Sequence, residues 1–134
     1  MIKYITHRDQ VDVSKMTDQI KNYLIIKNKY PHSIVFYRVG DFWECFFEDA
    51  SVASDQLELV LTYKRVPGID DLIVMSGIPY HTISSYSERL LFKGYSVIVA
   101  DHSRVHKTLI ELNARTKKST YEKLLSLRLL TFMG

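Results

Sequence analysis

The stretch IVFYRVGDFWECFF, residues 34–47, decides the fold of this chain. Residues 34–38 form an apolar run of β-branched and aromatic side chains, which is typical of a buried strand. Gly40 and Asp41 interrupt this run, and residues 42–47 then have strand character again. The stretch therefore predicts a β-hairpin with residues 39–41 near its tip.

Helices are predicted on both sides of this hairpin. Residues 14–29 carry apolar side chains at helical spacing, with Ser14 or Thr17 as the N-cap and Pro31 closing the segment. Residues 48–56 place acidic side chains in a first turn, where the helix dipole favours negative charge. The hairpin is thus expected to lie between two helices.

The second half of the chain alternates strand and helix signals. Residues 84–93 predict a third helix, because Ser85 and Glu88 have capping-box spacing. Runs rich in apolar and β-branched side chains predict three further strands, at residues 59–64, 72–75 and 95–100.

These elements predict an α/β fold, a mixed β-sheet of about five to six strands flanked by helices. We expect one domain over residues 1–134, a normal domain length. Residues 103–134 are expected to form a basic, leucine-rich helical tail of one or two helices.

Composition limits the class of protein. With 46% hydrophobic residues the chain can bury a core, and no apolar run approaches the roughly 20 residues of a membrane span. A single cysteine, Cys45, rules out an internal disulfide and agrees with a reducing compartment. We therefore expect a cytoplasmic protein.

Charge is segregated along the chain, although the net charge is only +3. Residues 40–60 contain six acids and no base, whereas residues 103–134 contain seven bases and two acids. Such segregation can mark a binding surface for a partner. Composition alone favours two ordinary solvated faces.

Three segments together resemble the N-terminal mismatch-recognition domain (domain I) of MutS-type DNA mismatch-repair proteins. Residues 36–44, FYRVGDFWE, are similar to the family pattern F-Y-R-M-G-D-F-Y-E. Residues 61–65, LTYKR, are similar to L-T-K-R, and residues 75–81, MSGIPYH, to M-A-G-I-P-Y-H. The segments follow in the family's order, and the resemblance is expected to span residues 20–101 and to stop there.

The resemblance implies a DNA-binding module for mismatched or distorted duplex. Phe42 matches the family's minor-groove wedge, and Glu44 matches the glutamate that hydrogen-bonds the mispaired base. Two residues apart on a strand, both point to the same side, while Trp43 points to the other. Lys64 and Arg65 are candidates for phosphate contacts, or equally for the polar end of a hairpin.

The resemblance also has departures. The chain has no G-x-x-x-x-G-K-[ST] segment, so the family's ATPase is absent, and we expect neither an enzyme nor a cofactor. The expected partners are double-stranded DNA and other repair proteins or the remaining domains of a larger protein, without a membrane. The tail offers an alternative to simple packing, namely a homodimer contact.

Two other functions remain open at this point. The first is a protein-interaction module that keeps the fold without DNA binding. The second is a nuclease in which Asp41, Glu44, Glu48 and Asp49 hold Mg²⁺. A zinc site on His102 and His106, four residues apart, is expected to be absent because no further ligand stands beside the pair.

Overall fold

The computed structural model describes residues 2–102 and 107–113. It confirms the predicted α/β class, a mixed sheet with helices packed against it. Three helices belong to this part of the chain: α1 (Asp18–Lys29), α2 (Glu48–Leu57) and α3 (Ile83–Phe92).

The sheet of the described residues has seven strands, more than the five or six predicted. The strands are β1 (Tyr4–Ile5), β2 (Ser33–Val39), β3 (Phe42–Phe46), β4 (Thr62–Arg65), β5 (Leu72–Pro79), β6 (Ser96–His102) and β7 (Lys107–Leu112). Their order is β1-β5-β3-β2-β6-β7, with β4 paired to β5. The β2–β6 and β1–β5 pairs are parallel and the other pairs are antiparallel, so the sheet is mixed.

The strand β7 corrects the prediction of a helical tail. Residues 107–112 pair antiparallel with β6, with Ile98 opposite Glu111 and Val97 opposite Leu112. Their side chains alternate, since Leu109 is exposed whereas Ile110 and Leu112 are buried. This period of two is a strand signal that the leucine-rich composition obscured. The rest of the predicted tail, residues 103–106 and 114–134, lies outside the described residues.

The helix starts differ from the predictions in detail. α1 begins at Asp18, because Thr17 is the N-cap and its hydroxyl accepts the N–H of Ile20 at 3.3 Å. Ser14 belongs instead to a preceding 3₁₀ turn. The capping box predicted at Ser85 is wrong, because α3 begins two residues before it, at Ile83.

The core has two layers, one on each face of the sheet. Ile20, Tyr23 and Leu24 of α1 pack in one cluster with the strand side chains of that face, including Phe46 and Ile98. The other cluster joins the strands to α2 and α3, and its members include Trp43, Cys45, Ala50, Ala53, Ile83 and Leu90. Successive strand residues therefore face different layers, as a pleated sheet requires.

A buried ion pair joins α1 to α2. The ammonium of Lys27 lies 2.8 Å from Asp49 Oδ1, and both side chains are almost fully buried. The same carboxylate accepts the Tyr23 hydroxyl at 2.7 Å and the Val35 N–H at 3.0 Å. Burial raises the pKa of the Asp49 carboxyl, and the Lys27 ammonium opposes this shift. One carboxylate thus links α1, β2 and α2.

The turn from β3 into α2 is strained. Phe47 has φ 58° and ψ −137°, a region that residues other than glycine rarely adopt. Its ring is fully buried and its N–H donates to the Val74 carbonyl at 3.1 Å. Core packing and this hydrogen bond together hold the turn.

No helix in residues 2–102 or 107–113 is long and apolar enough to cross a membrane.

Lys27→Met is expected to destabilise the domain by about 3 kcal/mol, because it leaves Asp49 buried without its counter-charge. Lys29→Met, on the exposed end of the same helix, is the control and should change the free energy of unfolding by less than about 0.5 kcal/mol. Urea unfolding measures both variants.

The loss in Lys27→Met should also depend on pH. Without Lys27 the pKa of Asp49 rises further, since the ammonium is the largest influence that lowers it. A carboxyl whose pKa is higher in the folded than in the unfolded state destabilises the fold while it is ionised, so the variant should regain stability as pH falls through that raised pKa. An equal loss at pH 7 and pH 4.5 would contradict this account.

Candidate nucleic-acid interface

The hairpin of β2 and β3 ends in the tight turn that the sequence predicts. Val39 pairs with Phe42 across the turn, and Gly40 has φ 60°, a conformation that glycine adopts without a steric cost. The carbonyl of Asp41 accepts the N–H of Tyr80 at 2.8 Å, which ties the turn to the end of β5. The tip is therefore held from both sides of the hairpin.

Phe42 is the exposed aromatic residue of this tip. It is the first residue of β3, lies between Val39 and Pro79 in the sheet, and has 49% of its surface exposed. An apolar ring at this level of exposure gains little from the core and is available to a partner.

Trp43, the next residue, points into the opposite layer and is fully buried. Its ring stacks on Tyr80 at 4.9 Å between centroids, and its indole N–H donates to the Tyr80 carbonyl at 2.9 Å. The prediction that Phe42 and Trp43 face opposite sides of β3 agrees with this arrangement. The buried indole anchors the strand from which Phe42 projects.

Arg38 braces the hairpin from the Trp43 side. Its guanidinium lies 4.3 Å from the centroid of the Tyr80 ring and donates to Asp101 at 2.8 Å. Its Nε also donates to the Gly40 carbonyl at 3.2 Å. The Arg38 side chain thus connects the turn to Tyr80, which follows β5, and to Asp101 of β6.

Glu44 lies on the Phe42 side of β3, one pleat further from the tip, and its side chain is only 12% exposed. Burial raises the pKa of the Glu44 carboxyl, and Lys64, whose ammonium lies 4.0 Å from Glu44 Oε1, opposes the shift. Gly77 is its partner on β5, where a Cβ would lie 3.4 Å from Glu44 Cγ. Because Gly77 has no side chain, the Glu44 side chain has room beside β5.

Lys64 and Arg65 occupy different environments. The ammonium of Lys64 donates to the side-chain oxygen of Gln19 on α1 and lies 5.3 Å from the Phe46 ring. Arg65 is exposed and pairs with Leu72, at the opposite end of β5 from the partner of Phe42. The fold brings Phe42, Glu44 and Lys64 to one face and leaves Arg65 apart from them.

An open groove of about 430 Å³ borders the hairpin tip. It is lined by Gln19, Asn22, Tyr37, Arg38, Val39, Gly40 and His102. Gln19 and Asn22 were not among the predicted site residues, because polar residues in the first half of a helix are typical of ordinary solvated positions. His102 lies on β6 and not on a helix, which removes the geometry considered for zinc.

The carboxylates considered for Mg²⁺ are dispersed. Asp49 is committed to Lys27, and Glu48 is paired with Arg8 and His7. Among residues 2–102 and 107–113, no three His, Cys, Asp or Glu side chains come close enough to hold a metal ion together. Glu48 and Asp49 are therefore engaged by basic side chains of the protein.

Comparison with known proteins identifies the family. A family model described as MutS domain I matches residues 17–125. The match corrects the expectation that the resemblance stops at residue 101, and it takes in β7.

Curated relatives agree with this match. Proteins called DNA mismatch repair protein MutS are 44% identical over 98 residues in Nostoc punctiforme and 45% identical over 92 residues in Clostridioides difficile. These alignments cover 73% and 69% of this chain but only 11% and 10% of the relatives. The chain thus spans about a tenth of the length of its relatives, and it belongs to the MutS domain I family.

Proposed function

We propose that this domain recognises mismatched or distorted duplex DNA by inserting Phe42 as a minor-groove wedge. The observation that carries the proposal is the half-exposed Phe42 ring on a hairpin tip that Trp43 and Arg38 brace. A wedge must unstack a base step, which costs a few kcal/mol, so it has to stand on a rigid element. We propose that the domain acts without catalysing a reaction, within a larger protein.

Discrimination follows from the cost of unstacking. A mispaired base is already poorly held, so the wedge spends less free energy there than at a matched base pair. The domain would then read deformability rather than sequence. The modest net charge of +3 agrees with weak binding that depends on the wedge more than on phosphate neutralisation.

Glu44 supplies the second element of recognition. Its carboxyl lies on the same face as Phe42 and would hydrogen-bond the mispaired base. An ionised carboxylate near phosphates is repelled unless it gains such a bond, so Glu44 penalises matched DNA. Burial raises the pKa of the Glu44 carboxyl, so it takes up a proton at a higher pH than a free glutamate, and the protonated form can also donate a hydrogen bond.

Lys64 and Arg65 are proposed to contact phosphates. The Lys64 ammonium lies 4.0 Å from Glu44 on the Phe42 face, whereas Arg65, opposite Leu72 at the other end of β5, would meet a phosphate farther from the wedge. The partners of the domain would then be double-stranded DNA and the other domains of the larger protein. A homodimer through residues 103–134 remains a proposal for a segment of which only 107–113 is described.

The second candidate is a protein-interaction module without DNA binding. The exposed ring of Phe92, 95% accessible on α3, is the observation that favours it. Such a module would keep its partner when Phe42 is replaced and would lose it when Phe92 is replaced.

Phe42→Ala is expected to lower affinity for a duplex with one G·T mismatch by about tenfold, since stacking contributes roughly 1–3 kcal/mol per base. Affinity for the matched duplex should change much less. Fluorescence anisotropy at low salt measures both.

Phe92→Ala is the matched control, because it removes an exposed ring on α3, away from the hairpin. It should bind both duplexes like the wild type. If Phe42→Ala retains the full mismatch preference, the wedge proposal fails.

Glu44→Gln should raise affinity for matched duplex and thereby reduce discrimination, because it removes the charge that phosphates repel.

For the wild type, affinity for matched duplex should rise as pH falls through the raised pKa of Glu44, since protonation removes the negative charge of its carboxylate. The variant should lack this pH dependence. Glu88→Gln, an exposed acid on α3, is the control, and a pH profile shared by wild type and Glu44→Gln would refute the role of Glu44.

A further inference from the structure

Glu44 has one ionic partner among residues 2–102 and 107–113, and this partner belongs to another strand. The Lys64 ammonium of β4 lies 4.0 Å from Glu44 Oε1, and the two side chains are only 25% and 12% exposed. β5 pairs with β3 along one part of its length and with β4 along another, so it stands between the two residues in the sheet. The ion pair therefore spans β5 and joins β3 to β4.

The position of the Lys64 ammonium is set by two further contacts. It donates to the side-chain oxygen of Gln19 on α1, and it lies 5.3 Å from the centroid of the Phe46 ring. Phe46 points to the same face as Glu44, because the two residues are two apart on β3. A surface lysine samples many rotamers, which makes most exposed ion pairs weak. Here an uncharged amide and a ring hold the ammonium on the Glu44 side of the sheet.

The strands on either side of Glu44 bring no other charge directly opposite it. Its partners in the sheet are Tyr37 of β2 and Gly77 of β5, and neither carries a formal charge. The His102 ring of β6 lies 5.8 Å from the Tyr37 ring between centroids, with β2 standing between β6 and β3. Lys64 is therefore the charge that acts most directly on Glu44.

Burial and the Lys64 ammonium act on Glu44 in opposite directions. Burial raises the pKa of the Glu44 carboxyl, because an ionised group loses its hydration, and the positive charge of Lys64 lowers it. This balance decides the pH at which Glu44 acquires its negative charge. Without Lys64, burial acts unopposed and the carboxyl keeps its proton to a higher pH.

We infer that Lys64 is a positioning residue that keeps Glu44 ionised, with Gln19 holding the ammonium in place. The inference rests on the proposed role of Glu44 in discrimination between duplexes. An ionised Glu44 penalises matched DNA, so Lys64 sets the pH range over which the domain discriminates. This role adds to the proposed phosphate contact of Lys64 and has a different signature, because a phosphate contact strengthens binding of both duplexes alike.

The first measurement is made on the chain without DNA. The side-chain carboxyl of Glu44 is titrated by NMR in the wild type, in Lys64→Met and in Gln19→Ala. The pKa of Glu44 should be highest in Lys64→Met, which lacks the opposing charge, and intermediate in Gln19→Ala, which keeps the ammonium but no longer holds it. Lys3→Met removes an exposed cation beside Leu72, at the far end of β5, and as the control should leave this pKa unchanged.

The second measurement follows binding of matched and G·T duplexes across the same pH range by fluorescence anisotropy. As pH falls, the rise in affinity for matched duplex should begin at a higher pH in Lys64→Met than in the wild type. The interval should equal the shift in the pKa of Glu44. Lys64→Arg keeps the positive charge and should restore the wild-type profile, which a loss of packing alone would not explain.

The double variant Glu44→Gln with Lys64→Met separates the two roles of the lysine. In the Glu44→Gln background, loss of Lys64 should change affinity for both duplexes by the same factor and leave their ratio unchanged. A ratio that still changes in this background would overturn the inference, because Lys64 would then act on discrimination without Glu44.

An unchanged pKa of Glu44 in Lys64→Met would also overturn the inference, whatever the affinities are. A pKa that moves as expected, with affinities that do not depend on pH in any variant, would support the control of Glu44 by Lys64 and refute the role of Glu44 in discrimination. Failure of the inference and failure of the proposed function can therefore be told apart.

Discussion

The carboxylate of Asp49 is the constraint on which the hairpin depends. Tyr37 is the residue of β2 farthest from the turn that pairs with β3. Val35 precedes it in the chain, and the Val35 N–H donates to the Asp49 carboxylate instead of to β3. The Lys27 ammonium balances the negative charge that the Asp49 carboxylate brings into the core. A buried charge without such a partner would be costly, so this end of the hairpin is stable only when α1 is docked against it. The contact of Asp49 with β2 and the contacts of Trp43 and Arg38 at the tip together fix the position of Phe42.

Much of the site was predictable because strand geometry is local. The period of two places Phe42 and Glu44 on one side of β3 and Trp43 on the other, whatever the rest of the chain does. Lys27 lies four residues after Tyr23 on α1, at the helical spacing that puts two side chains on one face. Its partner Asp49 was not predictable, because residues 22 positions apart are brought together only by the tertiary fold.

The wrong predictions share this cause, because they concern contacts between residues that are distant in the sequence. Residues 107–112 predict a helix as well as a strand because leucine suits both structures, and their alternation distinguishes the two only when the segment pairs with β6. The burial of Glu44 and its approach to Lys64 depend on β4 and β5. The acidic run at residues 40–60 is likewise no single surface, since Asp49 is buried whereas Asp55 and Glu58 are exposed.

Trp43 is the single tryptophan of the sequence, and its buried indole lies directly next to Phe42 in the chain. Its N–H is held by the Tyr80 carbonyl and its ring by Tyr80. The tryptophan fluorescence of this chain therefore comes from one indole at the base of the hairpin tip. Events at Phe42 can be followed optically through a native chromophore, without attaching a dye to the domain.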